Sequence, residues 1–167
     1  MRHEWFTLGF HLGYRYDRSP IVCADGTPAP PLPTASYVQT ARPGARAPHA
    51  WLPDGRSTLD LFGRGFVLLR LGRDAPGGEN MERAAAQAGV PLEVSALDLP
   101  EICDLYQRRL VLVRPDGHVA WRADEVPADA RAVIDIVRGA GECATLAAPA
   151  DAEAAGSAIH TVRGGRP

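Results

Sequence analysis

Arg108 to Asp124 reads RRLVLVRPDGHVAWRAD, and the fold turns on this stretch. Leu110, Val111, Leu112 and Val113 form an unbroken apolar run, the pattern of a strand covered on both faces. Arg114-Pro115-Asp116-Gly117 supplies turn chemistry: Pro115 presets φ, Asp116 suits the next position, and Gly117 tolerates φ > 0. Val119 and Trp121 then alternate with Ala120 and Arg122, as in a second, half-covered strand. The stretch predicts a β-hairpin, with Trp121 as the largest apolar side chain near the core.

Upstream, Phe66 to Leu71 (FVLLRL) is another apolar run and predicts a central strand. A Gly-rich turn follows it. Met81, Ala84, Ala85 and Ala88 share one face of a helix over Asn80–Ala88, which Gly89, Val90 and Pro91 terminate. Leu92-Glu93-Val94 predicts a short strand, and Pro100–Tyr106 a turn of helix. Downstream of the hairpin, Ala130, Val133, Ile134 and Val137 fall at i, i+3, i+4 and i+7 of a helix over Pro127–Val137, ended by Gly139. Strand, helix, strand, connector, strand, strand, helix is an α/β order, the βαβ–ββα arrangement of a thioredoxin-like fold. Pro53-Asp54-Gly55, between Ala50-Trp51-Leu52 and Ser57-Thr58-Leu59, predicts a small hairpin in front of it.

The N-terminal part reads differently. Phe6, Leu8, Phe10, Leu12, Tyr14 and Tyr16 alternate with Thr7, Gly9, His11, Gly13, Arg15 and Asp17. Period 2 predicts an N-terminal β extension with one apolar face, a strip suited to docking on a partner or on a second copy. Pro20–Pro33 (PIVCADGTPAPPLP) predicts an extended spacer. From Ala140 onward the chain is rich in Ala, Gly and Asp without periodicity, which predicts a flexible C-terminal tail. The expected organisation is an extension and linker over 1–42, a thioredoxin-like domain over 43–140, and a disordered tail over 141–167.

The 167 residues carry 18 basic and 20 acidic side chains, and every basic one is Arg. A net charge of −2 offers no field to draw nucleic acid or an anionic membrane. No apolar run reaches the length of a membrane span. Cys23, Cys103 and Cys143, odd in number and far apart, suggest a reducing, cytoplasmic setting without a disulfide framework.

Motifs that would carry chemistry are wanting. In a redox-active thioredoxin-like protein the thiol sits at the start of the helix after the first core strand, where the helix dipole lowers its pKa. Here that position is Arg73–Asn80 (RDAPGGEN), without a cysteine. Cys103 lies in the connector with no CxxC partner and reads as a small buried hydrophobe. His3, His11, His49, His118 and His160 show no metal-ligand spacing. Asp98, Glu101 and Asp104 read as a solvated acidic face, and no GxGxxG follows a strand. No catalytic, cofactor-binding or metal residue is assigned from these patterns.

Leu12–Val22 (LGYRYDRSPIV), Pro43–Leu71 (PGARAPHAWLPDGRSTLDLFGRGFVLLRL) and Arg108–Arg122 (RRLVLVRPDGHVAWR) together resemble the C-terminal region of flavin-dependent aromatic-ring monooxygenases, such as phenol hydroxylases, hydroxyphenylpropionate hydroxylases and polyketide hydroxylases. The resemblance implies a thioredoxin-like region without the thiols, packed beside flavin- and substrate-binding parts. It implies FAD and NAD(P)H for a catalytic half that is not in these residues. No flavin-contacting or catalytic residue carries over. Two functions follow as expectations. One is a non-catalytic accessory domain that assembles with or stabilises a flavin hydroxylase. The other is a free-standing thiol protein using Cys103 or Cys23.

Overall fold

The hairpin forms as the turn chemistry dictates. In a computed structural model describing residues 8–31 and 37–141, Leu110–Val113 and Val119–Ala123 pair antiparallel. The Gly117 N–H closes the turn on the Arg114 carbonyl at 2.9 Å. Gly117 sits at φ +78°, which L side chains rarely adopt. These strands are β3 and β4. In chain order the elements are α1 (Leu8–Gly13), a 3₁₀ turn (Thr58–Leu61), β1 (Phe66–Leu71), α2 (Glu79–Gln87), β2 (Leu92–Leu97), α3 (Pro100–Tyr106), β3, β4 and α4 (Ala130–Val137).

One four-stranded sheet runs β2-β1-β3-β4. β1 and β2 are parallel, with Leu68 opposite Val94, and β1 meets β3 antiparallel, with Leu68 opposite Leu112. Strand alternation sends Leu68, Leu110 and Leu112 toward α2 and α4, where Met81, Ala85, Val133, Ile134 and Trp121 join them. Val67, Leu69, Leu71, Val111 and Val113 point the other way, onto Ile102 and Tyr106 of α3 and onto Ala41, Ala47 and Leu52. The sheet therefore separates two cores. The helix ends follow the sequence closely. Gly89 ends α2 with Val90 N–H on the Ala85 carbonyl, and Asp129 caps α4 by accepting from Ala132 N–H at 2.9 Å. α4 starts at Ala130, so Pro127 precedes the helix.

Four expectations are corrected. The N-terminal β extension is not a strand where the structure describes it: Leu8–Gly13 is α1. The sheet edge at β4 is already bonded. Gly44 N–H donates to Val119 O, Val119 N–H to Ala45 O, Ala47 N–H to Gly117 O, and Cys23 N–H to Ala120 O. A strand there would have no ladder, whereas a helix satisfies its own backbone groups.

The stretch expected as a spacer is in part core. Val22 and Cys23 are buried, and Asp25 forms an ion pair with Arg122. Gly44, at φ +90°, lets this region close up, because a β-carbon there would lie 3.0 Å from the Tyr16 carbonyl carbon.

β4 is covered on both faces rather than one: Trp121 lies in the α2–α4 core and Arg122 is buried on the other side. Its register shifts between Leu112 and Val113, so Ala120 is an extra residue whose carbonyl is free for Cys23. The small front hairpin reduces to one bridge, Trp51 with Ser57, before the 3₁₀ turn. The expected tail at 142–167 lies outside the described residues.

Candidate functional site

The loop after β1 is where a thiol or a phosphate-binding turn would stand in an α/β fold. Arg70, near the end of β1, turns its guanidinium into that loop, Nε donating to Pro76 O at 2.6 Å and Nη2 to Ala75 O at 2.9 Å. Glu79 and Glu82 occupy the first turn of α2, and the Glu79 carboxylate folds back over Gly77. A β-carbon on Gly78 would sit 3.0 Å from Val94 Cγ2. The helix start thus faces carboxylates and packed apolar groups. FAD needs a cradle for its pyrophosphate, with free N–H donors and no competing anion. These residues do not fit that group.

The two described cysteines stand on opposite faces of the sheet. Cys23 is buried against the sheet, and Cys103, half-buried on α3, has its Sγ 3.7 Å from where a β-carbon on Gly72 would be. Cys143 lies outside the described residues. Among the described residues no cluster of three or more His, Cys, Asp or Glu could hold a metal. Asp98, Glu101 and Asp104 are exposed, as expected of a solvated face.

His118, just after the hairpin turn, is a structural residue, 4 % exposed. Its Nδ1 faces Asp116 and its ring lies 4.9 Å from that of Tyr16, centroid to centroid. Burial pushes its pKa below the usual histidine value, and Arg114 adds to this against the opposing pull of Asp116. His118 Nε2 and Arg114 Nη1 make no hydrogen bond. The Tyr16 ring stands beside both, with Arg114 Cζ 5.4 Å from its centroid. Tyr14 and Tyr16 therefore cover this end of the hairpin, their rings edge to face at 5.4 Å.

Asp25 shows the opposite balance. Burial raises its pKa, but hydrogen bonds from Thr27 and Arg122 outweigh that and hold it below the ordinary carboxylate value. On the α3 side, burial drives the Tyr106 phenol far above its usual pKa. Its hydroxyl donates to Pro48 O at 2.7 Å, which ties the 41–62 segment to α3.

Of the six residues expected to dock on a partner, Phe6 lies outside the described residues, and Leu8, Phe10 and Leu12 are on α1. They do not share a strand face with Tyr14 and Tyr16. The structure instead brings Leu12 together with residues not singled out from sequence. Two adjoining hollows of about 150 Å³ each share Leu12, Tyr37 and Arg46 as walls. The first also takes in Tyr14 and Val38, and the second reaches His49, whose ring packs at 4.9 Å on Trp51. Val38 and Trp51 are each 67 % exposed, Tyr14 45 % and Tyr16 38 %. Four of the five large exposed hydrophobic residues among those described thus lie around these hollows or next to them. The signal available in sequence was Trp51 placed just before a Pro-Asp-Gly turn. No helix of the described residues is long and apolar enough to cross a membrane.

The chain is 38 % identical over 135 residues to tetracenomycin B2 monooxygenase-dioxygenase of Streptomyces olivaceus, covering 74 % of this chain and 24 % of that protein. It is 33 % identical over 147 residues to the FAD-dependent monooxygenase apdD of Emericella nidulans, covering 81 % and 23 %. Among solved structures it superposes on RebC, soaked with chromopyrrolic acid and with 7-carboxy-K252c bound, at a TM-score of 0.76. That match has 53 % identity and covers 84 % of this chain and 26 % of RebC. The chain therefore spans about a quarter of the length of these relatives. The family described as aromatic-ring hydroxylase, C-terminal, matches residues 40–141, and the chain belongs to that family.

Proposed function

We propose that this chain is a non-catalytic accessory domain of a FAD-dependent aromatic-ring hydroxylase, serving to stabilise or assemble the part that binds flavin. The observation that carries the reading is the start of α2: Arg70 fills the loop and Glu79 and Glu82 front the helix, on a domain whose relatives include FAD-dependent monooxygenases. FAD and NAD(P)H would then be bound by the remainder of such an enzyme, and the aromatic substrate with them. The strand order β2-β1-β3-β4, with β3 antiparallel to β1, supports a thioredoxin-like body without the thiol. In this reading the body spans 43–140, with 1–42 as an attached extension, and it works in the cytoplasm.

The test is a full-length hybrid in which this chain replaces the matching C-terminal quarter of a related hydroxylase. The expected result is a hybrid that retains flavin and oxidises NAD(P)H in the presence of substrate, while this chain alone does neither. Stoichiometric flavin binding or NAD(P)H oxidation by the isolated chain would overturn the proposal.

A further inference from the structure

We infer that the paired hollows between α1 and the 37–51 segment are a docking surface for the flavin-binding part of the hydroxylase. The occupant would be an apolar segment carrying a carboxylate that meets Arg46. This rests on the accessory-domain reading and adds where the contact is and what chemistry it takes. Three observations converge on it.

The first is apolar exposure concentrated on one side. Val38 and Trp51 leave two thirds of their surface in water, which scattered surface residues do singly but seldom beside two apolar hollows. A projecting Trp beside a hollow has the character of an interface anchor.

The second is charge. Two cations border the first hollow. Arg15 is neutralised by Asp17 at 3.2 Å, whereas Arg46, exposed, forms no ion pair among the described residues. Arg46 is a wall of both hollows and lies close enough to Tyr14 and Tyr37 to bear on their titration. A second copy of this chain would bring another Arg46 to the same apolar surface. A partner with a carboxylate at this point is the better complement.

The third is continuity. The matched family region is C-terminal by description and begins at residue 40, so α1 lies on its N-terminal side, where the rest of such an enzyme would precede it. α1 itself supplies Leu12 to both hollows. The polypeptide thus enters over the surface proposed to be covered.

The experiment uses the hybrid hydroxylase with Val38→Asp, Arg46→Glu or Trp51→Ser, and with Glu82→Arg on the opposite side as a control. Exposed positions are chosen so that the domain still folds, which circular dichroism of each variant chain checks. Flavin release on heating should shift down by about 5 °C or more for the three surface variants and stay within about 1 °C for the control. Amide exchange over 37–51 should be slower in the hybrid than in the isolated chain. Loss of flavin retention in the unsubstituted hybrid would overturn the accessory-domain reading itself. A flavin-loaded hybrid indifferent to all three substitutions, with unchanged exchange over 37–51, would overturn this surface alone. An isolated chain that is a dimer in light scattering and becomes monomeric with Val38→Asp would assign the surface to a second copy and overturn the occupant.

Discussion

Asp25 and Arg122, 97 positions apart, meet as an enclosed ion pair: Oδ2 and Nε are 2.6 Å apart, with 8 % and 4 % of their side chains exposed. Thr27 Oγ1 and the Tyr106 carbonyl, at 3.4 and 3.5 Å, extend the guanidinium's contacts. Removing one member leaves the other charged and out of water. Asp25→Ala should cost about 3–5 kcal/mol. Asp25→Leu combined with Arg122→Met should cost less than Asp25→Ala. Urea unfolding followed by circular dichroism measures both, and a single-mutant loss below about 1 kcal/mol would mean that water reaches the guanidinium.

Stability should fall in two acid windows. The His118 pKa is depressed in the folded chain, so below about 6.5 the unfolded state binds the proton first. Stability is then lost as pH drops through that value, levelling off once the folded form also titrates. Asp25 is depressed as well, so its contribution is present above about 3.9 and lost as pH falls through its lower folded value. His118→Gln should flatten the upper window and Asp25→Asn the lower. A wild-type profile without slope between pH 7 and 5 would contradict the depression of His118.

Trp121 and Gly117 probe the hairpin by different routes. Trp121 is buried in the α2–α4 core, and Trp121→Ala should cost about 3–5 kcal/mol. Gly117 has open space where a β-carbon would go, so Gly117→Ala pays only for its left-handed backbone, roughly 1–2 kcal/mol. Chemical denaturation of both variants should preserve this ranking.

Thiol chemistry should be absent from the isolated chain. With no cysteine at the start of α2, insulin reduction and peroxide consumption should match buffer. Activity that disappears in Cys103→Ser would revive the thiol reading.

How much of this was legible depended on how far apart the partners are. β1, α2, α3, β3 and α4 could be read because their signals are local: a turn tetrapeptide, an apolar run, a face repeating every three or four residues. Asp25 and Arg122 leave no such trace. Alternation marks Arg122 as the polar side of β4, and only a carboxylate arriving from nearly a hundred residues upstream makes its burial tolerable. The Pro- and Ala-rich stretch around Asp25 has the composition of a linker, yet Cys23 bonds to a carbonyl exposed by a one-residue bulge in β4. Period 2 misled over residues 8–13 for a related reason, since whether a strand forms depends on a free neighbouring edge. The apolar hollows were illegible because only the tertiary fold brings Leu12 of α1 against Tyr37 and Arg46, which lie 25 and 34 positions further on.

The Asp25–Arg122 contact also sets a timetable. A ribosome adds roughly 5–20 residues per second, so the 97 positions between the two residues amount to a wait of about 5–20 s. Until the final hairpin has been synthesised, Asp25 has no guanidinium and Cys23 no carbonyl to bind. Arg42 can hold Asp17 and the Thr27 carbonyl much earlier, but the closure of Cys23 and Asp25 onto the sheet waits for the last strand to emerge.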